Sequence, residues 1–345
     1  MAMSSGESSD DIDRFLALVN TYPSPHNGQP MVLTGKGGQF TVWFETARGL
    51  TATPISYHFS FVTIGVFFRH LEACAEAVGF AHRTEISLPA IDDMSTDGTL
   101  RCGTFALTER KSPNEPLKTA LLFRQTSRRN YSSGLDETTR IDMQRIASNS
   151  DLEMSFLSDE KAHQAIWLNQ RAVFDDMFDP KVRTELAHWL RFSHEEKITK
   201  KDGLSYDCMQ LSGSAMRFSI DHYQVLRWPI IAPLLRSYYL RTMKDHSTVG
   251  YLQSPFETPY DTYQIGRVIA ESWLLLSQKG LYLHPFGTVV SNDDAHADFV
   301  SLAGIVDETR EKNYVVFIFR AGASEPPVRS ARLPWKQHLY KEGEV

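Results

Sequence analysis

Cysteine is scarce in this chain: only Cys74, Cys102 and Cys208 occur among 345 residues. An odd number at wide spacing supplies neither a disulfide framework nor a zinc set, and a reducing, cytoplasmic compartment is expected. A basic excess is also missing. The net charge of -6 and a pI near 6.1 exclude the basic stripe by which nucleic-acid-binding domains are recognised. No apolar run reaches membrane-spanning length, because the run 228–235 is stopped by Arg227 and Arg236. The first residues are polar and Ser-rich, without the basic and apolar regions of a secretory signal, so 1–10 is expected to be a disordered lead-in.

Several catalytic signatures are absent as well. There is no Gly-x-Ser-x-Gly elbow, and Ser212-Gly213-Ser214 lacks the flanks of one. Gly35-Lys36-Gly37-Gly38 lacks the Walker spacing and reads as a hairpin turn between strands at 30–34 and 39–45. The acids and histidine of Asp293-Asp294-x-His296-x-Asp298 follow Ser291-Asn292 and read as the first turn of a helix rather than as metal ligands. Hydrolase and metalloenzyme chemistry are therefore minor readings.

What is present is ample apolar material, 42% of the residues, arranged as alternating helices and strands. Ile12, Phe15, Leu16 and Val19 have the spacing of one helical face. Long apolar helices are expected at 59–78 and 260–279, ended by Gly79 and Gly280, each followed by strand material. Between them lie expected helices at 117–126, 136–147, 160–178, 181–192 and 215–244. Strands are expected at 84–88, 103–108, 152–157 and 314–320. The repeated order divides the chain into halves at 11–112 and 113–345, with a charged, Gly-containing lid insertion at about 192–215.

Three separated pieces carry the chemistry. Tyr22-Pro23-Ser24-Pro25-His26-Asn27-Gly28-Gln29-Pro30 is a polar turn able to offer amide and hydroxyl groups to a heterocycle. Ser127-Arg128-Arg129-Asn130-Tyr131-Ser132 and Arg329-Ser330-Ala331-Arg332-Leu333-Pro334 offer the forked guanidinium contacts a phosphate needs. Together they suggest a wall for FMN. His26 lacks a paired acid and reads as a structural, hydrogen-bonded group rather than a general base.

These pieces, in this order, resemble the duplicated, Acg-type branch of the FMN-dependent nitroreductase family. The turn is similar to a Pro-Ser-x-His-Asn-x-Gln-Pro-Trp signature with Met31 in the Trp place, and Arg128 to Ser132 partly matches an Arg-Arg-Thr-x-Arg signature. The 185–191 helix with Asp202-Gly203-Leu204, the Gly280-Leu281 entry and the Pro326–Pro334 tail extend the resemblance over about residues 10–340. It implies an α+β, nitroreductase-like fold: two related α/β halves forming a pseudo-dimer around central mixed sheets, with one intact FMN site. It also implies roles. Arg128 and Arg332 match phosphate positions, with Arg329 as helper and Asn130 toward the phosphate or ribityl chain. Pro23, Ser24 and Asn27 pack on the flavin, and Gln29 steadies the turn. Pro285, Phe286 and Gly287 form the loop that presents backbone N–H groups toward the flavin N5 edge.

One departure concerns charge. Ser132 stands where the family has Arg or Lys near N1 and O2 of the reduced flavin, so Arg129 or another cation must replace it for reduction to stay favourable. The expected activity is transfer of electrons from NADH or NADPH through FMN to a small acceptor such as a nitroaromatic or quinone, with no side-chain nucleophile. FMN storage under the lid and an FMN-dependent biosynthetic dehydrogenase are the alternatives. The chain would act as a monomeric pseudo-dimer or a homodimer.

Overall fold

The computed structural model describes residues 9–241, 243 and 246–343. Residues 1–8 of the expected lead-in lie outside them, and Ser9 and Asp10 already belong to the first helix, α1 (Ser9–Val19). The polar turn follows and delivers the chain into β1 (Met31–Lys36) and β2 (Gln39–Glu45). Gly37 and Gly38 join these strands with φ of 59° and 75°, the left-handed pair a two-residue hairpin demands. Next come α2 (Pro54–Val78), β3 (Phe80–Ile86), β4 (Thr99–Arg110) and α3 (Glu115–Phe123).

The chain then forms β5 (Tyr131–Ser133), α4 (Glu137–Ser148) and β6 (Glu153–Phe156). A large insertion carries α5 (Asp159–Asp176), α6 (Pro180–Trp189), β7 (Leu190–Arg191), α7 (His194–Lys200), β8 (Leu204–Ser205), α8 (Gly213–Asp221) and α9 (Ile231–Arg241). The second sheet resumes with β9 (Thr248–Ser254), α10 (Pro259–Gln278), β10 (Tyr282–Pro285), α11 (Gly287–Ser291), α12 (Asp293–Ala303) and β11 (Tyr314–Ser324). The last strand is β12 (Tyr340–Glu342).

The two sheets follow one path. The first runs β1-β2-β4-β3 and the second β6-β9-β11-β10, every neighbour in these runs antiparallel, with a long helix between the second and third strands of each. They differ in the first connection, two residues in one and 157–247 in the other, a stretch that contains the expected lid at 192–215. They also exchange material. β12 leaves the second half and pairs in parallel with β1, so residues 113–345 do not close on themselves.

Each sheet has its own core, and the long helices serve both. Val62 and Val66 of α2 enter the core around Leu252, Trp273 and Phe319, while Tyr263 and Leu274 of α10 enter the core around Phe15, Phe67 and Phe105. A helix apolar on all sides is buried on all sides, which is why α2 has no polar face to spare. Two ion pairs join the helices across the crossing: Arg69 Nε donates to Glu271 at 2.5 Å, and Arg267 forks onto Glu72 at 2.7 and 3.0 Å.

Most expected elements are present within a few residues. The helix expected at 215–244 is a correction: α8 ends at Asp221, a short 3-10 turn covers Tyr223–Arg227, and α9 starts beyond Pro229. Pro229 cannot donate the amide a continuous helix needs. Five residues of α2 precede Phe59, and Pro54 stands within its first turn, a place where a missing N–H costs nothing.

Candidate functional site

The polar turn is conformationally strained and held from two sides. His26, Asn27 and Gln29 have φ of 48°, 54° and 57°, a region that asparagine tolerates and that bulkier residues enter only when their surroundings compel them. Within the turn the Gln29 amide donates to Ser24 Oγ at 3.0 Å. The insertion grips one side: Gln29 Nε2 donates to Lys201 O at 3.0 Å, and the Gly203 amide to Asn27 O at 3.3 Å. The tail grips the other. Asn27 Nδ2 donates to Ala331 O at 2.9 Å, the Leu333 amide to Gln29 Oε1 at 3.1 Å, and His338 Nε2 lies 2.6 Å from Gln29 O.

Arg332 comes in with that tail. Its Nη1 donates to Asn27 Oδ1 at 3.0 Å, and its guanidinium carbon stands 5.0 Å from the Tyr22 ring centre. Its Nε and Nη2 are buried without an acceptor. Arg124, the residue that caps the C-terminus of α3, lies in the same patch. Its Nη2 donates to Thr21 O at 2.8 Å, its guanidinium stands 4.8 Å from the Trp273 ring, and its Nε is buried without an acceptor. Burial, then the charges of Arg332 and Arg329, hold Arg124 down to about 9; burial holds Arg332 down to about 10. The same charges reach His70, which burial first and Arg124 second keep neutral, its pKa lowered to about 3. Arg329 is exposed and donates from Nη2 to Leu122 O at the rim.

A second basic cluster surrounds Arg128. The loop carrying it is pinned by buried Ser127, whose amide donates to Leu283 O at 3.2 Å and whose hydroxyl meets Ser324 Oγ at 2.8 Å. Burial lowers the Arg128 pKa, and the groups around it are Cys208, Tyr239, Arg320 and Tyr131. Arg320 is fully buried: its Nε donates to His284 Nδ1 at 3.2 Å and its Nη2 to Arg129 O at 3.0 Å, over the Tyr131 ring. His284 is kept neutral by burial and by these two arginines. His26, on the turn, is lowered to about 4 by burial and then by Arg128. The turn thus meets Arg332 through Asn27, and the charge of Arg128 reaches its His26.

Carboxylates nearby are taken by other cations. Asp202 binds Arg48 at 3.1 Å and buried Arg191 at 2.5 Å; Glu45 lies 3.6 Å from Lys341. Among the described residues no carboxylate lies within ion-pair distance of Arg124, Arg128 or Arg332. Like charges gathered under partial burial with unmet N–H donors fit an anionic ligand, because desolvated cations are costly until an acceptor neutralises them. That donor chemistry fits the phosphate of FMN. A hollow of 410 Å³ opens elsewhere, lined by residues including Glu76, Phe80, His82, Lys111 and Asn114, and shares no residue with either cluster. The recess beneath the turn, between Pro25, Pro30, Arg48 and Thr63, leaves no space for a water molecule.

Of the residues singled out in the sequence, Ser24, Asn27, Gln29 and Arg332 meet at the turn, Arg329 bonds Leu122 O at the surface, and Arg128 lies in the second cluster. Arg129 contributes its carbonyl to Arg320, whereas Asn130 and Ser132 are exposed, Ser132 Oγ lying 3.4 Å from Ala323 O. Pro285 and buried Phe286 adjoin the second cluster through His284, whose ring lies 5.4 Å from that of Phe286. The Phe286 amide is already spent on Ile318 O at 2.8 Å, and Gly287 is exposed. Arg124 and Arg320 were not foreseen. A charged residue closing the apolar strand 314–320 was the signal for Arg320; Arg124 follows an apolar helix, where a basic residue has an ordinary dipole explanation.

No family model matches the chain, and no curated protein matches it. Among solved structures, a nitroreductase-like family protein from Bacillus cereus is similar at 10% identity and a TM-score of 0.34, over 66% of this chain and 96% of that one. A mutant of the FMN and NADPH-dependent nitroreductase NfnB from Sphigopyxis sp. strain HMH is similar at 16% identity and a TM-score of 0.35, over 63% and 94%. No helix among the described residues is long and apolar enough to cross a membrane, and no group of three or more His, Cys, Asp or Glu side chains among them could hold a metal ion.

Proposed function

We propose that the chain is an FMN-binding oxidoreductase of nitroreductase type, taking electrons from NADH or NADPH and passing them to a small organic acceptor such as a nitroaromatic or quinone. The observation that carries the reading is the meeting of the turn and the tail, with Arg332 on Asn27 and buried guanidinium donors left without an acceptor. The halves are read as an internal duplication forming a pseudo-dimer. The shared strand path, the paired crossing of α2 and α10, and the loan of β12 to the first sheet support it.

When bound, FMN would supply the two-electron chemistry that side chains lack. The chain's own part is to bind and tune. Arg332 would hold the phosphate, and Asn27, Gln29, Ser24 and Pro23 would fix the turn against the cofactor. Arg128, with Arg329, Arg129 and Asn130 at the margins, would extend the basic wall. The charge missing at Ser132 would be supplied by Arg320 beside Arg128, and a fixed cation there favours an anionic reduced ring. Pro285, Phe286 and Gly287 would close the wall behind His284. Neutral His26 and His284 add no further charge to that field.

The first test is the absorbance of the purified chain and of the chain incubated with FMN: a bound flavin band with quenched fluorescence supports the reading, and a colourless protein after both treatments ends it. A second reading, storage of FMN without turnover, is favoured by the grip of Lys201 and Gly203 on the turn, which covers it from one side. Anaerobic NADH or NADPH separates the two. Bleaching of the loaded protein supports the enzyme, and persistent colour supports storage.

A further inference from the structure

We propose that Arg124 and Arg332 together form the seat of a phosphoryl dianion, and that Arg124, which lies outside the motifs read from the sequence, makes the site select a phosphorylated ligand over its unphosphorylated parent. The two side chains hang on consecutive residues of one backbone segment: Arg124 on the carbonyl of Thr21, Arg332 over the ring of Tyr22. Each is fixed by that contact and by one more, Trp273 under Arg124 and Asn27 Oδ1 on Arg332. Neither is therefore a loose surface cation. Three donors remain, Arg124 Nε and Arg332 Nε and Nη2, all buried and all without an acceptor.

The field around them has one sign. Arg329 stands at the rim, His70 is neutral, and no described carboxylate pairs with either guanidinium. Two adjacent cations with three unmet donors are unfavourable in the empty protein, and a tetrahedral dianion offers both the charge and the number of acceptor oxygens to reverse that. A monoanionic carboxylate would leave one charge unbalanced. Arg128 belongs to the other cluster, with Arg320, so the phosphate is assigned to Arg124 and Arg332, and Arg128 is left for the remainder of the ligand.

The seat itself rests on these residues; only its assignment to the phosphate of FMN rests on the function proposed above. The experiment titrates stripped wild-type protein and the Arg124→Gln variant with FMN and with riboflavin, and measures thermal shifts in inorganic phosphate against chloride at equal ionic strength. Wild type is expected to prefer FMN over riboflavin by about 100-fold, and Arg124→Gln to lose most of that preference with riboflavin affinity unchanged. Inorganic phosphate is expected to raise the melting temperature of the wild type and not of the variant. Equal binding of FMN and riboflavin by the wild type overturns the seat while leaving a flavoprotein. Stabilisation by phosphate with no flavin binding overturns the flavin reading while leaving the seat. Should Arg124→Gln fail to fold, Arg124→Lys keeps the charge and removes the buried Nε donor; an unchanged FMN-to-riboflavin ratio in it overturns the proposal.

Discussion

Gly65 of α2 and Gly266 of α10 meet where the two long helices cross, each lying against the backbone of the other helix. A Cβ built on Gly65 would run into the carbonyl oxygen of Tyr263, and one on Gly266 into that of Val62, both closer than the 3.0 Å floor of real Cβ contacts. The crossing is therefore backbone on backbone, and the ion pairs Arg69–Glu271 and Arg267–Glu72 flank it. Gly65→Ala and Gly266→Ala are each expected to destabilise the fold by about 3 kcal/mol, the upper end for overpacking. Urea denaturation measures it, and a loss below about 1 kcal/mol in both would contradict so close a crossing.

Arg332 presents a trade between stability and binding. Its buried, acceptor-less donors burden the ligand-free protein, so Arg332→Met is expected to melt a few degrees higher than wild type without ligand, about the effect of removing one unmet buried charge. The same variant should bind FMN at least about 10-fold more weakly. Differential scanning fluorimetry and a flavin titration on one preparation read both quantities. A lower melting point would mean that the Tyr22 and Asn27 contacts outweigh the buried charge.

Asp202 ties the insertion to the first half, holding Arg191 and Arg48 together. Arg191 is 2% exposed, so Asp202→Asn leaves a buried guanidinium uncompensated and is expected to cost about 3 kcal/mol. Because Gly203 and Lys201 grip the polar turn, cleavage by limiting protease should appear within 192–210 before the rest of the fold opens. Uniform resistance of that segment in the variant would show that the tie is dispensable.

Acidification between pH 6.5 and 4 is expected to destabilise the protein. His26 and His70 have their folded pKa values lowered to about 4 and about 3, mainly by burial, so the unfolded chain binds protons in this window that the folded chain refuses. Their contribution is present above pH 6.5 and lost as pH falls toward the folded values. Asp176 opposes them: burial raises its carboxyl from 3.8 to about 6, so the folded chain gains as pH falls from 6 to 4. Asp176→Asn should then raise stability at pH 7 and steepen the acid loss. Urea midpoints at pH 7, 6 and 5 decide it, and a variant less stable than wild type at pH 7 would reverse the assignment.

Periodicity made the local structure readable, and distance hid the rest. The apolar spacing of α1, the Gly37-Gly38 hairpin and the stops at Gly79 and Gly280 depend on neighbours in sequence, and they stand where they were expected. β12 and β5 were not foreseen, since three-residue strands have no pattern of their own and exist because β1 and β11 offer edges. In the site, Asn27 and Arg332 were visible as motif residues, but their hydrogen bond joins positions 305 residues apart. Arg124 acquires its significance only from Thr21 and Trp273, which the fold brings to it.

The loan of β12 sets an order of events during synthesis. Both sheets have all their other strands before residues 340–342 leave the ribosome, so the edge of β1 stays bare until then. The clasp of Ala331, Arg332 and Leu333 on the turn is stretched between β11 and β12 and can tighten only afterwards. Until β12 docks, the edge of β1 presents unpaired backbone groups on which another chain could pair.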